Sequence, residues 1–271
     1  MRPLLLGACV LLLACATPVT SVTAAPTPDP LERARTLYNQ RNFDAALEAA
    51  ADARRVPARA GSADLIAARA YLEKFRETAS PDYLARARER LRGIDVDQLS
   101  AGERAELVVG LGEELFLEDA KGAAANLFDS LLMVSPGVTG LSLVARERVL
   151  DWWASALDAQ ARPRPGAERD AIYQRVRDRM RAELGVNPAS TPASYWLAAA
   201  ALGQGDAQAA WDAAVAGWVR APIAPDRGAA LRGDLDSLVE RGIVPARSNL
   251  LAQPPDAVRA EWMAFKAQWN K

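Results

Sequence analysis

Few residue types in this sequence could do chemistry, and the absences narrow the field first. None of the 271 residues is a histidine, which removes the imidazole acid–base, the Ser-His-Asp triad and the HExxH zinc site together. Cys9 and Cys15 are the only cysteines and both lie near the N-terminus. The rest of the chain therefore has no thiol nucleophile, thiolate metal site or disulfide. No phosphate-binding GxxxxGK[ST] loop, no GxGxxG and no SxxK pair is present. Carboxylates remain, and they cluster: Glu103, Glu106, Glu113, Glu114, Glu118 and Asp119 fall in or beside one helical stretch.

On a helical wheel Glu106 and Glu113 share a face with Phe116 and Leu117 near it, while Glu114 and Glu118 stand one turn apart on another. A charge run of this kind ordinarily faces water. It could also line a binding groove, or supply an acid of the glycosidase type from Glu113 or Glu114, although nothing local sets a second carboxylate against the first. A second charged stretch, with arginines at 162, 164, 169, 175, 177, 179 and 181 against Glu168, Asp170 and Asp178, is expected to pair with the acidic stretch or to dock an acidic partner. Only Tyr173 interleaves with these arginines, and the net charge is −1, so nucleic acid is not expected. No metal or cofactor is expected either.

These residues must be positioned by helices. Half the residues are hydrophobic and a quarter charged, with alanine, leucine and arginine dominant and no stretch alternating like a strand. Three segments repeat one set of offsets. The clearest runs from about Ala105 to Val138 and carries Leu111-Gly112-x-x-Leu115, then Ala124-x-x-x-Phe128 and Pro136. A second holds Ala34, Leu37, Ala46, Ala50 and Pro57, and a third Leu197, Ala198, Ala201, Ala210, Ala214 and Pro222. In each, a small residue precedes the alanine of the next helix by the same interval: Ala34 to Ala46, Gly112 to Ala124, Ala198 to Ala210. Two antiparallel helices approach closely only where small residues meet.

These offsets resemble the tetratricopeptide repeat (TPR), whose pattern is L-G-x-x-Y, A-x-x-x-F, P. Leu115 and Val108 stand where that pattern has aromatic residues. The resemblance implies an all-α fold: a right-handed superhelical array of antiparallel helix pairs over residues 31–222, closed by a C-terminal helical cap over 223–271. Ala63–Phe75 with Pro81–Leu91, and 140–161 with Ala167–Leu184, are helical stretches that complete the pairs without fitting the pattern. Ser80-Pro81 reads as an N-cap and first helical position. Pro225–Arg241, Pro245–Leu251 and Pro255–Trp269 read as separate terminal helices. Seven tryptophans are present. Val258, Trp262, Phe265 and Trp269 recur at helical spacing and must be buried, either as the cap or as a partner-binding stripe. Trp152, Trp153, Trp196, Trp211 and Trp218 read as core.

The N-terminus opens with Arg2 and an apolar run from Leu4 to Ala14, too short to cross a bilayer, which takes about 20 apolar residues. Leu12-Leu13-Ala14-Cys15 resembles the bacterial lipobox, so residues 1–14 are expected to be a signal peptide and Cys15 the lipidated residue. Ala16 after the cysteine implies the outer membrane; ordinary cleavage near Ala24 is the alternative. Residues 15–30, rich in proline and threonine, read as a tether.

In TPR domains the first helix of each pair lines a concave groove. The resemblance thus implies that Arg35, Tyr38, Asn39, Glu106, Glu113, Phe116 and Tyr195 face a protein or peptide partner. Arg35, Asn39, Glu106 and Glu113 depart from the lysine–asparagine clamp that grips a peptide C-terminus in one TPR subfamily. Three functions stay open: a non-enzymatic adaptor in an envelope complex, a cell-wall glycan hydrolase, and a spacer whose groove is filled by its own last helix.

Overall fold

The computed structural model describes residues 29–134 and 141–269. Cys15, the leader, most of the tether and Pro136 lie outside them. The described residues are helical with no strand: α1 (Pro30–Asn39), α2 (Phe43–Arg54), α3 (Ala60–Thr78), α4 (Pro81–Arg92), α5 (Ala101–Leu117), α6 (Lys121–Leu132), α7 (Leu143–Ala161), α8 (Gly166–Val186), α9 (Thr191–Gly203), α10 (Ala207–Arg220), α11 (Ala229–Leu238), α12 (Val244–Leu251) and α13 (Pro255–Trp269). Each packs on the next in the chain, save that α11 and α12 meet through the segment between them.

The odd-numbered helices also touch in series, α1 on α3, α3 on α5, α5 on α7, α7 on α9 and α9 on α11, and so form one layer. Small residues allow the close approach. Ala34, Ala46, Ala124, Ala198 and Ala210 are wholly buried. At Gly112 a Cβ would meet the Phe128 ring at 2.5 Å, and at Gly203 the Tyr173 ring at 2.4 Å.

Helix ends follow local chemistry. Ser100 and Glu103 form a reciprocal capping box on α5, and Asn42, Ser142, Ser190 and Asp206 accept from backbone N–H groups of the helices they start. Ser80 holds the N-cap position before Pro81, but its side chain makes no capping bond.

The C-terminal end differs from its expected division. Pro245 does not begin a separate helix: α11 runs through a π-helical turn, Val239–Ile243, into α12. A proline inside a helix lacks an N–H and crowds the carbonyl four residues back, here at Arg241, and the widened turn accommodates both. Of the terminal stripe, Val258 and Trp262 are buried while Trp269 is half exposed. Trp262 stands edge-on to Trp211 and Trp218 of α10, with ring centroids 5.6 and 5.5 Å away, and its Nε1 donates to Asp236 at 2.7 Å. The stripe therefore caps the stack with Trp262 and runs out to solvent at Trp269.

Candidate functional site

The layer of odd-numbered helices carries a cavity of about 480 Å³ on the faces of α1, α3, α5 and the start of α7. An adjoining hollow of about 180 Å³ extends it along α1. Tyr38 and Asn39 reach it because α1 stops there: Arg41 takes a left-handed backbone and Asn42 starts α2, setting Phe43 beside Tyr38 with centroids 5.8 Å apart. The Arg69 guanidinium of α3 lies 4.8 Å from the Tyr38 ring centroid and 3.4 Å from Glu106 of α5. Burial pushes the Tyr38 phenol up, and the charge of Arg69 opposes it.

At the α1 edge Arg35 pairs with Glu103 at 2.8 Å. Burial would raise the Glu103 carboxyl, but hydrogen bonds from Ser62 and Ser100 and the charge of Arg35 hold it below its ordinary 4.5. Beneath the floor lies Glu113, 3% exposed. Arg76 approaches Glu113 at 3.3 Å and Glu73, on the cavity wall, at 2.8 Å. Burial pushes the Glu113 carboxyl above 4.5, against the pull of Arg76 and Arg69. Opposite, α7 presents Arg148. Among the described residues Arg148 makes no hydrogen bond or ion pair.

Four expected residues, Arg35, Tyr38, Asn39 and Glu106, thus converge. Glu113 does not line the cavity or its hollow; it is buried and paired with Arg76. Phe116 lies outside, its edge on Trp152 at 4.8 Å and the Lys121 amine 3.6 Å from its centroid. Tyr195 sits elsewhere too, edge-on to Trp196 and lining a separate hollow with Asp234 and Arg241.

Neither the water-facing nor the groove reading describes the whole acidic stretch. Glu114 is buried on Arg88 of α4 at 2.6 Å, and Arg88 also pairs with Glu118. Asp64 is clamped likewise by Arg54 and Arg90, at 2.9 and 2.8 Å. Within the one molecule the arginines of 162–181 do not pair with the acidic stretch: Arg175 and Arg179 reach Asp129, Arg177 reaches Asp206, and Arg162 reaches Asp158.

Protein-family models, curated proteins and solved structures give no match to this chain. The cavity's capabilities follow from its own groups. Amide, phenol and guanidinium groups around an aromatic floor can hold a polypeptide, because they offer hydrogen bonds and apolar surface together. Among the described residues no group of three or more His, Cys, Asp and Glu side chains is placed to hold a metal ion, and no helix is long and apolar enough to cross a membrane.

Arg69 and Arg148, which complete the cavity, were not foreseen in the sequence. Arg69 had a signal, since it is the only charge in the otherwise apolar run Leu65-Ile66-Ala67-Ala68-Arg69-Ala70-Tyr71-Leu72. A cation there needs a partner or a role.

Proposed function

We propose that this chain is a membrane-tethered, non-enzymatic adaptor that binds protein or peptide segments within a bacterial envelope complex, through a TPR-like concave face made by α1, α3, α5 and α7. The supporting observation is the convergence of Tyr38, Asn39 and Glu106 on one open cavity and of Arg35 on the hollow that adjoins it. The serial contact of the odd-numbered helices supports a curved array with those helices on its inner side; the right-handed superhelix is part of the proposal. The tether belongs to the same proposal: lipid on Cys15 holds the domain at the outer membrane facing the periplasm. The spacer reading loses support because α13 packs at α12, and through Trp262 at α10, and none of its residues lines the cavity.

The test is site-specific photo-crosslinking in envelopes of the source bacterium, with the probe at Asn39 or at the exposed Arg92 that ends α4 and does not line the cavity. Defined adducts from Asn39 and none from Arg92 are expected; equal adducts from both, or none from Asn39, overturn the reading. Replacing Cys15 by alanine should abolish palmitate labelling and release the chain from membranes.

One observation favours a second reading. Glu113 is an enclosed acid that burial raises above its ordinary pKa, and Arg76 bridges it to Glu73 on the cavity wall; an acid so raised is one of the two groups a glycan hydrolase needs. Release of soluble fragments from purified cell wall, lost in Glu113→Gln, would replace the adaptor with the enzyme.

A further inference from the structure

The charges around the cavity are matched one by one except at a single place. Arg35 is paired with Glu103, Arg41 with Glu77, Arg69 with Glu106, and Arg76 with both Glu73 and Glu113. Arg148 stands on the wall with neither an ion pair nor a hydrogen bond among the described residues, and the Asn39 side-chain amide, on the same cavity, is likewise without a partner. A guanidinium is a planar fork of donors matched to a carboxylate, and an amide can add a further donor. Beside these polar groups the wall is apolar, with Phe43, Val109, Leu141 and Ala145.

We infer that the cavity selects an acidic side chain, aspartate or glutamate, within a polypeptide, its carboxylate on Arg148 and Asn39 and a neighbouring apolar residue against Phe43 and Val109. This rests on the adaptor reading and names the chemistry of the partner. A polypeptide fits better than a small dianion because the cavity of about 480 Å³ continues into the hollow toward Arg35 and Ile66, leaving room for chain on either side of the docked residue.

The test uses a phage-displayed library of random dodecapeptides joined to the coat protein through their C-termini, so that no free terminal carboxylate competes. It is panned on the full-length chain in detergent and on its Arg148→Glu variant. Enrichment of peptides with Asp or Glu beside Leu, Phe or Tyr is expected on the parent and not on the variant. Selected sequences, made with amidated C-termini, are then titrated. Glu→Gln in the peptide and Arg148→Ala in the protein should each weaken binding about tenfold, and the two together little more than either, as for groups that act on one another.

No enrichment, equal enrichment on both baits, or losses that multiply would overturn the inference, as would glutarate or inorganic phosphate binding as tightly as the peptides. Arg148 is exposed, so its variants should keep the parent's circular dichroism and melting. A partner crosslinked at Asn39 whose capture survives Arg148→Glu would remove this inference and leave the adaptor standing.

Discussion

From α1 to α5 neighbouring helices are bridged by ion pairs: Arg54 and Arg90 on Asp64, Arg88 on Glu114, Arg76 on Glu113 and Arg69 on Glu106. From α10 to α13 ion pairs are present too, Lys266 on Asp236, Arg259 on Glu240 and Arg247 on Glu261, but aromatic rings are added to them, with Trp262 between Trp211 and Trp218 and with Arg232 and Lys266 near the Trp218 ring. The small-residue contact at the heart of each pair is the same at both ends. What surrounds it differs, and the difference assigns roles. Burying tryptophan removes a large apolar area from water and adds edge-to-face contacts, so it stabilises directly. A buried ion pair contributes little net, because desolvation offsets the attraction, yet it punishes the loss of either partner. On these grounds the C-terminal end is expected to anchor the stack and the charged end to shape the polar cavity.

The sharpest way to break this comparison is Trp262→Ala. Truncating so large a buried ring costs about 3–5 kcal/mol, read as a fall in the urea midpoint. Hydrogen exchange should rise first in α11 to α13 and only later in α1 to α5. A loss below about 1 kcal/mol, within the range of an ordinary surface change, would show that the cap does not anchor the array.

At the other end Arg76→Met should cost about 3 kcal/mol, because it leaves the Glu113 carboxylate buried without its partner. Adding Glu113→Leu should recover most of that loss. A double variant as unstable as the single one would mean that the pair stabilises rather than specifies.

The same carboxyl predicts a pH dependence. Its pKa in the fold lies above the ordinary 4.5, so the folded chain holds this proton more tightly than the unfolded one. Stability from this group is present below about 4.5, the unfolded value, and is lost as pH rises through the folded pKa. Glu113→Gln, which stays neutral, should gain on the parent as pH is raised across that window in paired denaturation curves. A constant difference would place the carboxyl at its ordinary value.

Sequence legibility follows the same division. The interval linking Ala34 to Ala46, Gly112 to Ala124 and Ala198 to Ala210 was readable because small residues are needed wherever helices touch, and each of the five alanines is wholly buried. Helix and face placed Arg35, Tyr38, Asn39 and Glu106 on the side where the cavity and its hollow lie, but the same reasoning also named Glu113, Phe116 and Tyr195, which do not line it. The partners of Glu113 and Glu114 were not readable, because Arg76 and Arg88 come from α3 and α4, and no local pattern reveals the register between separate helices. The π-helical turn before Pro245 escaped for the opposite reason: a proline is an equally good signal for starting a helix and for widening one.

The smallest expected effect sharpens the comparison most for function. Arg148 belongs to the charged end by position but to neither set of bridges, since among the described residues nothing is bonded to its guanidinium. Arg148→Ala should therefore leave stability within about 0.5 kcal/mol of the parent, as for a surface change that removes no contact, in contrast to Arg76→Met on α3 of the same layer. A loss above about 1 kcal/mol would make Arg148 one more structural cation holding Glu113 by long-range charge, since surface changes free of contacts rarely cost so much. A neutral result would show that the fold does not depend on Arg148 and leave its role to the peptide titrations.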